Sequence, residues 1–251
     1  MSEDEIQQLF PLESRRLETI AKWRANRAEL AAQGKGSLPL VGEVGMLFHV
    51  IPSDSLARRT IREPLHVPQQ QWSQIYVTSQ ATNFRYNQDG FLASARVGNE
   101  LSAYGYTQIF RSGIFEYANG NCYMSPRNGM GPMVLGQELE QMMVRSYENA
   151  TDRLRALGQD EPVYIGFSLL GIAGKSFFAT VTRSAFSTVT VDPTLEIFNS
   201  PEVLADVTSS EESPFGGILR PLVDTMWQVA GEGQTPFITN GVWDPFRRYL
   251  M

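Results

Sequence analysis

Residues 83–117 read NFRYNQDGFLASARVGNELSAYGYTQIFRSGIFEY, and their alternation decides the fold. Phe84 and Tyr86 alternate with Arg85 and Asn87, Gln88-Asp89-Gly90 supplies a turn, and residues 91–97 form the next strand. Gly98-Asn99 is a second turn, and residues 104–110 and 114–117 are strands joined at Ser112-Gly113. Short aromatic and β-branched runs with a period of two, broken by glycine-containing turns, predict an antiparallel meander.

Working outward, residues 46–52 (MLFHVIP) predict a buried strand ended by Pro52, followed by a short helix from Ser53. Residues 163–172 (VYIGFSLLGI) are nearly all apolar, which predicts a central strand. Residues 175–182 and 187–191 read as further strands, and 119–132 as a Gly- and Asn-rich loop around Cys122. Helical spacing marks three segments. Over 12–33, Leu17, Ile20, Ala21, Arg24, Ala28 and Ala31 recur at helical intervals, and Gly34 and Gly36 end the run. Over 135–157, Leu139, Met142, Met143, Tyr147, Ala150 and Leu154 make the strongest stripe. Over 214–229, Leu219, Leu222, Val223, Met226 and Trp227 share one side, and the aromatic tail beyond is expected to pack on the body. The predicted class is α+β, a largely antiparallel mixed sheet flanked by an N-terminal, a long central and a C-terminal helix. Residues 1–36 read as a leader and basic connector helix, and 37–251 as one domain.

With 251 residues and 42% hydrophobic content, the chain has ample material for a core. The net charge of −6 argues against a whole-chain attraction to nucleic acid. Residues 13–35 differ, carrying Arg15, Arg16, Lys22, Arg24, Arg27 and Lys35 against Glu13, Glu18 and Glu29. The first five of these cations are the candidate nucleic-acid contacts, weighed against an ordinary solvated helix face. Cys122 is alone, so no intrachain disulfide or multi-cysteine zinc site is expected. The acidic start and the lack of a long apolar run predict a cytoplasmic protein.

Three places come near a catalytic signature. Residues 171–176 (GIAGKS) end like a phosphate-binding loop, but Leu169 stands where the first glycine is required and SFFATVT reads as strand, so a hairpin turn is expected. Gly166-Phe167-Ser168 lacks the second glycine of a nucleophile elbow, which makes Ser168 a hydrogen-bonded core serine. His49 and His66 are far apart and neither sits in a nucleophile, base or metal pattern with Cys122. No cofactor or metal is predicted, and the reading leans away from an enzyme. What stands out is a polar group on the sheet: Arg85, Asn87, Asp89 and Arg111, with His49 as a neighbour. Forked guanidinium donors there suit a carboxylate or phosphate. The competing arrangement is internal salt bridges to Asp89 and Glu116.

Several segments taken in order resemble a known region. They are LFHVIPSDSL, NFRYNQDGFL, YTQIFRSGIFE, RLRALG, PVYIGFSLLGI, NSPEVL, ILRPLVDTMWQVAG and NGVW, spanning about residues 17–244. Together they are similar to the region that follows the Schlafen/Alba-type DNA-binding domain in bacterial proteins. Here that module is not in front of it, so its nucleic-acid role does not carry over. The resemblance implies a non-enzymatic binding or interaction module, partnered with itself or with a separately encoded nucleic-acid-acting protein, in a phage-defence or mobile-element setting. Two alternatives are direct nucleic-acid binding through the basic helix and small-ligand sensing near Arg85 and Arg111.

Overall fold

The computed structural model describes residues 3–56, 67–77, 81, 83–96, 102–124, 133–159, 161–182, 185–206, 215–239 and 242–245. His66, most of the helix expected from Ser53, and residues 125–132 of the expected loop lie outside them. In chain order the elements are α1 (Glu3–Ala32), β1 (Gly45–Pro52), β2 (Asn83–Asn87), β3 (Gly90–Arg96), β4 (Ala103–Phe110), β5 (Phe115–Asn119), β6 (Tyr123–Met124) and β7 (Met133–Leu135). Then follow α2 (Gly136–Ala156), β8 (Val163–Leu170), β9 (Ser176–Thr182), β10 (Ala185–Thr190), β11 (Ile197–Asn199), β12 (Val203–Ala205), α3 (Arg220–Val229), β13 (Ile238–Thr239) and β14 (Val242–Trp243).

The main sheet has eight strands in the order β11-β8-β1-β5-β4-β3-β2, with β12 also paired to β8, and every pairing in it is antiparallel. The class is α+β, as the sequence predicts. The meander forms because its turns carry the residues they need. Gly90 has φ +147°, and a Cβ there would lie 2.0 Å from the Ile109 carbonyl oxygen. Strand β8 is buried along its whole length, which accounts for its unbroken apolar run.

Three details depart from the sequence reading. Helix α1 starts at Glu3, well ahead of the start expected at residue 12. Residues 171–175 do turn, with Gly171 and Gly174 at φ +65° and +64°. They do not close a hairpin, because β9 joins β10, β7 and β6 in a separate four-stranded sheet containing one parallel pairing. The last helix opens with a π turn over Phe215–Leu219 before α3.

Both faces of the main sheet are covered. Met46, Phe48, Val50, Ile109, Phe115 and Phe167 pack toward α2 and α3. Leu47, Leu92, Tyr106 and Ala118 point the other way, against Ala28 and Ala31 of α1. Helix α1 is therefore a layer of the fold, held by Ile20, Ala28 and Ala31. Among the described residues no helix is long and apolar enough to cross a membrane.

The C-terminal segment is pinned by one carboxylate. Glu140 of α2 is fully buried and accepts hydrogen bonds from Trp227 Nε1, Thr235 Oγ1 and Trp243 Nε1, each at 2.6 Å. Glu138, two residues away, is exposed, as helical geometry requires. Burial pushes the Glu140 carboxyl up to about 7, against the opposing pull of its three donors.

Candidate binding site at the sheet edge

One rung of residues crosses six strands. Arg85 is opposite Leu92, Leu92 opposite Gln108, Gln108 opposite Glu116, Glu116 opposite His49, and His49 opposite Gly166. Strand alternation puts all of them on the face beneath α1. The rung runs from solvent at Arg85 to a fully buried centre at Gln108, Glu116 and His49.

Glu116 organises that centre. Arg27 of α1 grips it with two hydrogen bonds, Nε to Oε2 at 2.7 Å and Nη2 to Oε1 at 2.6 Å. His49 Nε2 lies 3.0 Å from Oε2, and the Tyr106 hydroxyl donates to Oε1 at 3.0 Å. Burial alone would raise the Glu116 carboxyl, but the bonds from Arg27 and His49 hold it down at about 2. Burial likewise pushes His49 below its ordinary value, against the pull of Glu116 and helped by the charges of Arg24 and Arg27. The neutral ring thus donates Nε2–H to Glu116, and its Nδ1 is buried with no hydrogen-bond partner among the described residues. Trp23 packs edge-on to His49 at 5.2 Å between centroids, and the Arg27 guanidinium lies 5.2 Å from the Phe110 ring centre.

Arg24, one helical turn from Arg27, has a second buried role. It is 1% exposed, donates to the Phe167 and Ser200 carbonyl oxygens at 2.5 and 2.9 Å, and pairs with Glu202 at 2.5 Å. Its guanidinium occupies the space a side chain at Gly166 would fill, since a Cβ there would lie 2.5 Å from Arg24 Cζ. Gly166→Ala is therefore expected to cost about 1–3 kcal/mol by overpacking, measured as a lower urea midpoint. An Ala variant as stable as the parent would refute that placement of Arg24.

The five cations expected to face nucleic acid do not share one surface. Arg15 and Lys22 are exposed, and Arg16 lies 3.6 Å from Glu13 and 3.5 Å from Asp54. Arg24 and Arg27 point into the sheet and spend their donors there. The expectation of a basic outer face is corrected to that extent, because an apolar stripe continuing through Arg24 turns inward with it.

The other predicted group comes together in part. Arg85, Asn87 and Asp89 line an open cleft of about 480 Å³ together with Gly36, Ser37, Tyr86 and Gln88. Asn87 is fixed, donating to Gln108 Oε1 at 2.8 Å while its own oxygen accepts the backbone N–H groups of Asp89 and Gly90. Arg111 straps the turn from outside through the Gln88 and Asn87 carbonyls at 2.9 and 3.4 Å. His49 does not line the cleft and bonds instead to Glu116. Ser37 connects the two regions, accepting from Arg27 at 3.0 Å and donating to Glu116 at 3.4 Å. The competing expectation pairs Arg85 and Arg111 with Asp89 and Glu116. Glu116 instead takes its cation from α1, and Arg85 is exposed with no partner among the described residues.

Sequence reasoning missed Ser37, Tyr106 and Gln108, and read Glu116 and Arg27 in other roles. The available signal was the placing of His49 and Glu116 inside aromatic strands, where an ionisable group needs a partner. Elsewhere, Ser168 donates to Asn199 at 2.6 Å as a core serine, and Lys175 pairs with Glu43 at 2.6 Å. The Cys122 thiol is buried and raised by that burial. Among the described residues no three His, Cys, Asp or Glu side chains gather as a metal-binding group. Comparison with protein-family models, with curated proteins and with solved structures finds no match for the chain.

Proposed function

We propose that the chain is a cytoplasmic, non-enzymatic binding module, accessory to a nucleic-acid-acting protein. It takes its protein partner, a second copy or a separately encoded chain, at strand β2 and the adjoining cleft. The observation that carries this reading is an edge strand bearing an exposed, unpaired Arg85 beside a cleft whose back wall is anchored by Glu116. An edge strand offers unpaired backbone groups, and strand addition takes affinity from them and specificity from neighbouring pockets. The fixed Asn87–Gln108 contact and the Arg111 strap keep this edge in one shape, which lowers the ordering cost of binding.

The groups a catalytic reading would use support the same conclusion. His49 is buried against Glu116 and held neutral, and Cys122 is buried with its thiolate disfavoured. A lone reduced cysteine in the core fits a reducing compartment. The nucleic-acid connection, and the phage-defence or mobile-element setting, rest on the resemblance of residues 17–244. The inward turn of Arg24 and Arg27 favours a protein partner over direct phosphate contact.

Size-exclusion chromatography with light scattering tests the reading, on the chain alone and mixed with the products of neighbouring genes. The parent is expected to assemble, and Arg85→Glu to weaken assembly at least about tenfold with an unchanged melting temperature, as for a rim charge. A parent that stays monomeric and binds none of those proteins, or an Arg85→Glu variant that assembles as well, would overturn it.

A further inference from the structure

A second cavity lies on the opposite side of the main sheet, beneath the last turn of α2. It measures about 160 Å³, with apolar walls from Val67, Ile109, Phe115 and Leu157 and two polar residues, Gln71 and Arg153. Arg153 projects from α2 and makes one hydrogen bond, Nη2 to the Gln71 carbonyl at 3.2 Å. Its Nε is buried and has no hydrogen-bond partner among the described residues. No carboxylate among the described residues pairs with it, whereas its neighbour Arg155 is taken by Asp152 at 3.0 Å. Burial already works against the Arg153 charge. A half-buried guanidinium beside apolar walls, its Nε donor unused and no counter-ion among the described residues, is costly unless an anion completes it.

We infer that this cavity binds a small monocarboxylate with a compact apolar body, its carboxylate on Arg153 and its body against Phe115, Ile109 and Val67. The size follows from the volume, since an apolar cavity of about 150 Å³ admits benzene. The chemistry follows from the donors, because a guanidinium fork matches a carboxylate edge. Beside Arg153 the lining offers one other polar side chain, Gln71, too few donors for the further oxygens of a phosphate. This site is independent of the partner-binding reading, as Arg85 and α1 lie across the sheet from it.

Thermal unfolding of the full chain at pH 7 with benzoate tests the inference. Benzoate at about ten times its dissociation constant is expected to raise Tm by roughly 3–5 °C. Benzyl alcohol, which lacks the carboxylate, and acetate, which lacks the body, are expected to leave Tm unmoved. Arg153→Met should abolish the benzoate shift without lowering the ligand-free Tm, since it removes an uncompensated charge. Arg85→Ala should retain the shift. The Arg153 Nε–H resonance of the unmodified chain should also move during a benzoate titration, and this readout decides the matter if Arg153→Met fails to fold. No benzoate shift, an equal shift in Arg153→Met, loss of the shift in Arg85→Ala, or a stationary Nε–H resonance would each overturn the inference.

Discussion

Glu116→Gln is expected to remove about 3–5 kcal/mol of unfolding free energy, the usual result of deleting one member of a buried ion pair. The glutamine fills the same space, but Arg27 is then left only 13% exposed with no carboxylate, and His49 loses its charged acceptor. Arg27→Met should cost a similar amount by stranding the buried carboxylate. The double variant Arg27→Met/Glu116→Gln should be less destabilised than the sum of its parts, since no uncompensated charge remains. Urea unfolding of the four proteins checks this, and purely additive losses would contradict it. The pH sign follows from the depressed carboxyl of Glu116. Its contribution is present above the ordinary carboxylate range and is lost as pH falls through about 2, a span worth about 3 kcal/mol.

Glu140 acts in the opposite direction. Its folded-state value, pushed up to about 7 by burial, lies above that of the unfolded chain. The stability it contributes is therefore fully present below about 4.5 and is lost as pH rises through 7, with a span of about 3 kcal/mol. Glu140→Gln should remove this dependence. The difference between parent and variant isolates it, because His49, with its depressed value, loses stability as pH falls below its ordinary range. The expected observation is a parent midpoint that declines relative to the variant between pH 5 and 8. Parallel profiles would contradict it. The variant's amide also places N–H donors against Trp227, Thr235 and Trp243, so it should be less stable than the parent at pH 5 by about 1–3 kcal/mol.

How much of this was legible in the chain depends on sequence separation. The meander could be read because its instructions are local: Gly90 and Gly113 stand where positive φ is needed, and the aromatic alternation sets the faces. Strand β8 announced itself by an apolar run. The rung beneath α1 could not be read, since it joins His49 to Glu116 across 67 residues and Arg24 to Ser200 across 176. One hint was present. Arg24 stands in the same helical stripe as Ile20, Ala28 and Ala31, and a cation on a buried stripe requires buried acceptors. The edge group was half legible, because Arg85, Asn87 and Asp89 are close in sequence. Arg111 and His49 reach neighbouring structure by routes that only the sheet register reveals. Glu140 shows the same limit, its three donors arriving from Trp227, Thr235 and Trp243, all about a hundred residues away.

Helix α1 is bound to the sheet through the buried groups of Arg24 and Arg27, and strand β2 with its cleft is the surface proposed for a partner. Hydrogen exchange at the arginine Nε–H groups of the folded chain, read by NMR near neutral pH, tests this attachment most directly. Arg27 Nε, bonded to buried Glu116 at 2.7 Å, should give a resolved, slowly exchanging signal that is lost in Glu116→Gln, while Arg15 exchanges at the rate of a free side chain. An Arg27 signal that exchanges as fast as that of Arg15 would contradict the account.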